Sequence, residues 1–299
     1  MFQPETRKGC TVENQRDLID RLNLTGKKLS KSHRLIADYI VEHYDKAVFM
    51  TAAMLGDIVG VSESTVVRFA VALGYEGYPQ LQHSLQELVR HRLTAVQRFE
   101  MSSDMAENAV LSTVLKADMM NIRHTADAID EKAFADVVNK MLSARTIYIL
   151  GLRSAAPLAQ FFAYYLSFIF EDVRLVAASS TDVFESIARI RKEDVLIGIS
   201  FPRYSTRTLE AMRFAQECGA QVIGITDGLM SPLYRQADIC LTARTDMASF
   251  VDSLVAPLSL VNALLVALAM KKRDDLSRHF EKLEGIWDAY SIYTKRENQ

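Results

Sequence analysis

The chain has 299 residues, of which 49% are apolar and 24% charged, with a formal net charge of −2. That length favours two domains, each with a core of its own, and that composition excludes a disordered chain or a coiled coil. The near-neutral balance excludes a protein that is basic throughout, so any nucleic-acid contact must come from local groups of cations.

The three cysteines, Cys10, Cys218 and Cys240, share no CxxC or Cys/His spacing, so neither a metal site nor a disulfide framework is expected, and a cytoplasmic location fits. Residues 1–23 are mostly polar, lack the order of a signal peptide and read as a flexible arm. Two apolar stretches, 154–170 and 250–270, are read as buried helices rather than membrane spans. The first is short for a bilayer, and the second carries Asp252, Pro257 and Asn262.

From 24 to 100, helical stretches alternate with turns at Gly60, Gly74 and Gly77-Tyr78-Pro79, which predicts an all-α domain. Within it, Ala52, Leu55 and Val59 share one helical face, Gly60 permits a turn, Val61 fills the corner and Ser62 is placed to cap a second helix. Val66, Phe69, Ala70 and Leu73 form the buried face of that second helix, and Gly56 lets the pair cross closely, as a helix-turn-helix requires. Its outer face carries Ser64, Val67 and Arg68, with Thr65 near the N-terminus. Hydroxyls and a helix N-terminus suit phosphate oxygens, arginine suits guanine or phosphate, and valine suits a thymine methyl. The candidate DNA-contacting residues are Ser62, Ser64, Thr65, Val67, Arg68 and Lys31, the last from an upstream group that includes Lys27, Lys28 and Arg34. The plain alternative is a helical hairpin with a solvated Arg68. The local cation excess is small, so any affinity for DNA is expected to need a symmetric dimer presenting two recognition helices.

Residues 101–130 are amphipathic and read as a helical linker, and 102–142 is where a signal between domains is expected to pass. From 131 to 290 the pattern changes to short β-branched runs at 146–150, 173–176, 195–199, 222–226 and 239–242, alternating with helical stretches. Continuous apolar strands separated by helices predict a doubly wound, flavodoxin-like parallel sheet of five strands. Residues 291–299 are left as a tail.

In a sheet of order 2-1-3-4-5, ligands bind beyond the carboxyl ends of strands one and three. The loops there are Gly151-Leu-Arg-Ser-Ala-Ala-Pro and Ser200-Phe-Pro-Arg-Tyr-Ser-Thr-Arg-Thr, both leading into helices. Hydroxyls, arginines and helix N-termini together suit a phosphate or carboxylate. The candidate effector-binding residues are Gly151, Arg153, Ser154, Ser200, Arg203, Ser205 and Thr206, with Ser179 contributing from beyond the second strand and Arg207 adding a third cation. The competing assignment is that Ser154, Ser205 and Thr206 only cap helices. The run Phe161, Phe162, Tyr164, Tyr165 and Phe168 is read as core or subunit interface.

With both halves in place, the chain resembles the RpiR family of bacterial regulators, which join a helix-turn-helix domain to a sugar isomerase (SIS) domain. The resemblance rests most on Gly60-Val-Ser-Glu-Ser-Thr-Val-Val-Arg-Phe and Leu73-Gly-Tyr-Glu-Gly-Tyr. It implies a transcription regulator of carbohydrate catabolism that binds operator DNA and a phosphorylated sugar or sugar acid as a homodimer or homotetramer, without cofactor or membrane. The SIS half departs from the family pattern. Where Gly-x-Gly-x-Ser is usual, Arg153 replaces the second glycine and Ser154 comes one position early; where Ser-x-Ser-Gly-x-Thr is usual, Ser200-Phe-Pro-Arg-Tyr-Ser205 puts Pro202 in place of a hydroxyl. A sugar-phosphate isomerase is the rival reading, but neither loop offers a histidine or carboxylate as base, and Glu185 and Glu210 lie farther along helices. A SIS module without DNA binding is the third.

Overall fold

Short hydroxyl side chains set where the N-terminal helices begin. Ser30 Oγ accepts from the His33 N–H at 3.2 Å and opens α1 (Lys31–Glu42), while Thr51 Oγ1 accepts from the Met54 N–H at 3.1 Å. The second cap follows a single turn, α2 (Tyr44–Ala47), and opens α3 (Ala52–Val59). The computed structural model describes residues 30–48, 50–89, 95–100, 107–177, 182–247 and 250–294, so the expectations for 1–23, Lys27, Lys28, Ser179 and 295–299 fall outside the described residues. The chain divides into two compact units between Ser103 and Asp104.

In the first unit α3 ends at Gly60, whose φ of 77° is the left-handed turn expected of it. α4 (Glu63–Ala72) then buries Val66, Phe69 and Ala70, and Leu73 closes its end. Gly56 meets its predicted duty, because a Cβ there would lie 2.7 Å from the Val61 carbonyl oxygen, a backbone atom unable to move aside. α1 packs across both helices, and its His33 ring meets Phe69 edge-on at 5.6 Å. α5 (Tyr78–Val89) is pinned through Tyr78, whose hydroxyl donates to the Met50 carbonyl at 2.7 Å. Burial pushes that phenol up to about 12. α6 (Ala95–Glu100) follows.

The second unit begins with α7 (Val110–Ala128) and α8 (Glu131–Ser143). Its sheet comprises β1 (Ile147–Gly151), β2 (Val173–Val176), β3 (Val195–Ile199), β4 (Gln221–Thr226) and β5 (Ile239–Thr242), all parallel in the order β2-β1-β3-β4-β5. Between and after the strands come α9 (Ala156–Ile169), α10 (Val183–Ile187), α11 (Thr206–Glu217), α12 (Pro232–Gln236), α13 (Val255–Lys271) and α14 (Arg273–Ala289). Alternation along β1 feeds two cores. Ile147 and Ile149 join Val137, Phe162 and Leu264 on one face, whereas Tyr148 and Leu150 join Leu196, Met212 and Leu233 on the other. β1 and β3 are buried along their whole length, which explains their continuous apolar runs.

Two elements shift slightly from the expected limits. The run at 146–150 becomes Ile147–Gly151, and Thr146 just before it accepts from the Val195 N–H at 3.0 Å through its carbonyl and donates its hydroxyl to Asp172 Oδ2 at 2.6 Å. The helix expected from 250 starts at Val255, and its buried residues include Leu260, Val261, Leu264 and Leu268. Among the described residues no single helix is long and apolar enough to cross a membrane. α7 packs on α13, and Asn121 fixes it by donating to the Asp246 carbonyl at 2.8 Å and accepting from the Asp246 N–H at 3.0 Å. The segment expected as a linker thus has its helix within the second compact unit.

Candidate functional sites

The outward face of α4 follows from its buried one. With Val66, Phe69 and Ala70 inside, a period of about 3.6 residues leaves Ser64, Val67 and Arg68 facing out, and all three are exposed. Ser62 takes the extended conformation of an N-cap but its hydroxyl bonds to no backbone N–H, a correction to its expected role. Its Oγ lies 3.0 Å from Ser64 Oγ and 2.8 Å from Thr65 Oγ1, forming a hydroxyl cluster at the helix start. Arg68 lies along the same face, with Nε donating to the Ser64 carbonyl at 3.2 Å and Nη2 to Thr65 Oγ1 at 3.3 Å. Lys31 is exposed in the first turn of α1. A patch of hydroxyls, helix N-terminus and guanidinium has the chemistry of a phosphate and base-edge contact.

The second candidate site lies beyond β1 and β3, which pair directly, Gly151 opposite Ile199. Gly151 serves packing: a Cβ there would stand 2.7 Å from Ala159 Cβ and 2.8 Å from the Ala155 carbonyl oxygen. The chain then turns through a short 3-10 segment, Arg153–Ala155, into α9, with Arg153 at φ 57°. After β3, Arg203 sits at φ 68°. Left-handed backbone in a residue other than glycine costs about 1–2 kcal/mol, and such strain gathers at functional sites. Both arginines stand where the family pattern has glycine, Arg153 in Gly-x-Gly and Arg203 in Ser-x-Ser-Gly. Both are exposed, and neither guanidinium makes a hydrogen bond or ion pair among the described residues, although the Arg153 carbonyl accepts from the Ala156 N–H.

The hydroxyls of the second loop are engaged. Ser200 Oγ, nearly buried, accepts from the Ser205 N–H at 3.1 Å, and Ser205 Oγ accepts from the Thr208 N–H at 3.3 Å to cap α11. Capping does not exclude a ligand, since a hydroxyl that accepts from a backbone N–H keeps its own proton to donate. Ser154 and Thr206 are exposed. Arg207, expected on the rim, is held elsewhere: its Nη2 donates to Asp182 at 3.1 Å, its Nη1 lies 3.6 Å from Glu210, and its guanidinium covers the Phe184 ring at 5.4 Å. Glu185 closes a capping box with Asp182 at the start of α10.

One carboxylate at this end of the sheet escaped the sequence reading. Asp227 follows β4 and accepts from the Tyr204 hydroxyl at 2.8 Å, tying the β3 loop to the β4 loop. Beneath it, buried Thr226 donates to the Ser200 carbonyl at 2.8 Å and lies 2.7 Å from Ser231 Oγ. The signal was a polar residue ending an apolar strand, but its partners are distant in sequence. In the aromatic run on α9, Phe162 is buried and Tyr164 and Tyr165 are exposed, while Phe168 lies 5.9 Å from Phe280 and 6.5 Å from Trp287 of α14.

Residues 16–91 match the rpiR-family helix-turn-helix domain and residues 140–267 match the SIS domain. The chain is 24% identical over 276 residues to the HTH-type transcriptional regulator HexR of Pseudomonas aeruginosa, covering 90% of this chain and 95% of HexR. It is 24% identical over 282 residues to HexR of Escherichia coli, covering 90% and 94%. The sugar isomerase domain of an RpiR transcription factor from Sphaerobacter thermophilus superposes with a TM-score of 0.57 at 24% identity, covering 59% of this chain and 98% of that one. The Vibrio vulnificus NanR protein complexed with ManNAc-6P superposes with a TM-score of 0.56 at 21% identity, covering 93% and 100%. The two units define a helix-turn-helix regulator with a SIS domain. The chain belongs to the RpiR family of transcriptional regulators.

Proposed function

We propose that the protein binds operator DNA through α4 and a phosphorylated sugar or sugar acid at the carboxyl ends of β1 and β3, so that the metabolite controls genes of carbohydrate catabolism. The observation that carries the effector half is the pair Arg153 and Arg203, two cations without a partner among the described residues, held in costly left-handed backbone on adjacent loops. Charge-assisted bonds from a guanidinium suit phosphate and carboxylate oxygens. They replace contacts that Pro202 and the displaced Ser154 no longer offer. Ser154, Ser200, Ser205 and Thr206 add hydroxyl donors. NanR carries a sugar phosphate on this fold, which supports that ligand class.

The DNA half rests on exposed Ser62, Ser64, Val67 and Arg68, with half-buried Thr65 beside them and Lys31 adding a phosphate contact. A single recognition helix carries little charge, so a homodimer or homotetramer presents two. Repression is the simpler mode, because a dimer lying across an operator needs no contact with polymerase. Binding of metabolite and of DNA are linked, and each shifts the affinity of the other by the same factor. Regulation is favoured over catalysis because Asp227 already accepts from Tyr204, Glu210 faces Arg207 and Glu185 closes a helix cap, so none of these carboxylates is a ready base.

The test is binding of purified protein to the DNA upstream of its own gene, at fixed salt, with a panel of sugar phosphates and phosphorylated sugar acids. The expected result is specific binding altered by one compound. Turnover of a sugar phosphate without specific DNA binding would overturn the proposal.

A further inference from the structure

The exposed stripe of α4 is longer than the helix-turn-helix pattern alone marks out. Ser64, Val67, Arg68 and Val71 recur at i, i+3, i+4 and i+7, and all four are exposed, while Val66, Phe69 and Ala70 opposite them are 0% exposed. Val67 is 37% and Val71 54% exposed, so this face carries two β-branched apolar side chains and one cation. Valine is a poorer helix former than alanine, lysine or glutamate, so nothing local favours it on a solvated face. In the homeodomain, a three-helix variant of the motif, the recognition helix reads bases with residues at this same i, i+3, i+4, i+7 spacing.

We propose that Val67 and Val71 form an apolar pair that reads the 5-methyl groups of two thymines in each operator half-site, with Val71 a specificity-determining residue. The inference rests on the DNA-binding reading above. Thymine is the one base presenting an apolar group in the major groove. Four residues of helix rise about 6 Å, against about 3.4 Å per base pair along a strand. The two methyls therefore lie about two base-pair steps apart, with Arg68 placed to reach a guanine or phosphate beside them. A stripe with a single cation neutralises few phosphates, so these contacts add discrimination rather than salt-dependent affinity.

The test uses the full-length protein to enrich binding sites from a random duplex library, then compares the enriched site with the same site carrying deoxyuridine in place of thymidine. Half-sites should contain two thymines at that spacing. The uracil duplex should bind about fourfold more weakly for each methyl lost, the weight of one buried methyl-sized group, with an unchanged salt slope. The double variant V67A/V71A, whose alanines favour the helix, should keep its circular dichroism and bind both duplexes equally. Equal binding of both duplexes by the unmodified protein would overturn the inference while leaving DNA binding intact. So would discrimination that survives in V67A/V71A, which would assign the uracil effect to DNA shape. If the double variant instead lost self-association in sedimentation and kept the discrimination, the valines would belong to a contact between copies. Failure to enrich any sequence at any salt would sink the DNA-binding reading and this inference with it.

Discussion

Arg153 and Arg203 share one left-handed backbone conformation, φ 57° and 68°, on the loops that follow the adjacent strands β1 and β3. A glycine at either place would hold the same turn without steric cost. The arginines keep the turn and add charge at a cost in stability, which separates the two effects in a pair of variants. Arg203→Gly and Arg203→Ala should both abolish the effector response, because both remove the guanidinium. The glycine variant should be the more stable by about 1 kcal/mol, since alanine retains the left-handed strain. Thermal unfolding beside ligand titration checks both, and an unchanged ligand affinity in either variant would remove Arg203 from the site.

Arg68 is held by Ser64 and Thr65 on the exposed face of α4. Arg68→Ala should weaken specific operator binding by about 1–3 kcal/mol and leave effector affinity unchanged, as fluorescence anisotropy with labelled operator and with random duplex would measure. An equal loss on both duplexes would make Arg68 a phosphate contact rather than a base reader.

The strand runs, the sheet order and the helix-turn-helix faces were legible because each rests on periodicity or on a glycine with a local duty, as at Gly56 and Gly60. Buried strands such as Val195–Ile199 announce themselves as unbroken apolar runs. Side-chain partners were not legible. Nothing near Arg207 in sequence says that it will meet Asp182, 25 residues away, rather than a ligand. The Tyr204–Asp227 bond, spanning 23 residues, exists only once β3 and β4 lie side by side. Ser62 shows a finer limit. Its type marks the N-cap position, yet neighbouring hydroxyls at Ser64 and Thr65 compete for its oxygen.

Gly151 separates packing from ligand contact. Gly151→Ala places a Cβ within 2.7 Å of Ala159 Cβ and 2.8 Å of the Ala155 carbonyl oxygen, so the turn into α9 has to shift. Overpacking of this kind costs about 1–3 kcal/mol, which should appear as a lowered Tm with or without effector. Unaltered stability with weakened ligand binding would instead place the glycine against the ligand.

At the opposite end of the sheet, Asp172 accepts from the Thr146 hydroxyl at 2.6 Å and from Arg174 Nε at 3.0 Å. The Thr146 hydrogen bond is the chief reason that the Asp172 carboxyl is held below its ordinary value of 3.8, with Arg174 adding to the effect and partial burial opposing it. A carboxyl whose folded value is depressed binds fewer protons in the folded state, so its contribution is fully present above the unfolded value and is lost as pH falls through the folded one. Asp172→Asn should therefore lower stability near neutral pH by about 1 kcal/mol, a hydrogen bond's worth discounted for solvent exposure. The gap between variant and parent should close below the ordinary carboxylate range. Urea unfolding of both proteins from neutral pH down through that range measures it, and a gap of constant size at every pH would show that Asp172 carries no titrating contribution.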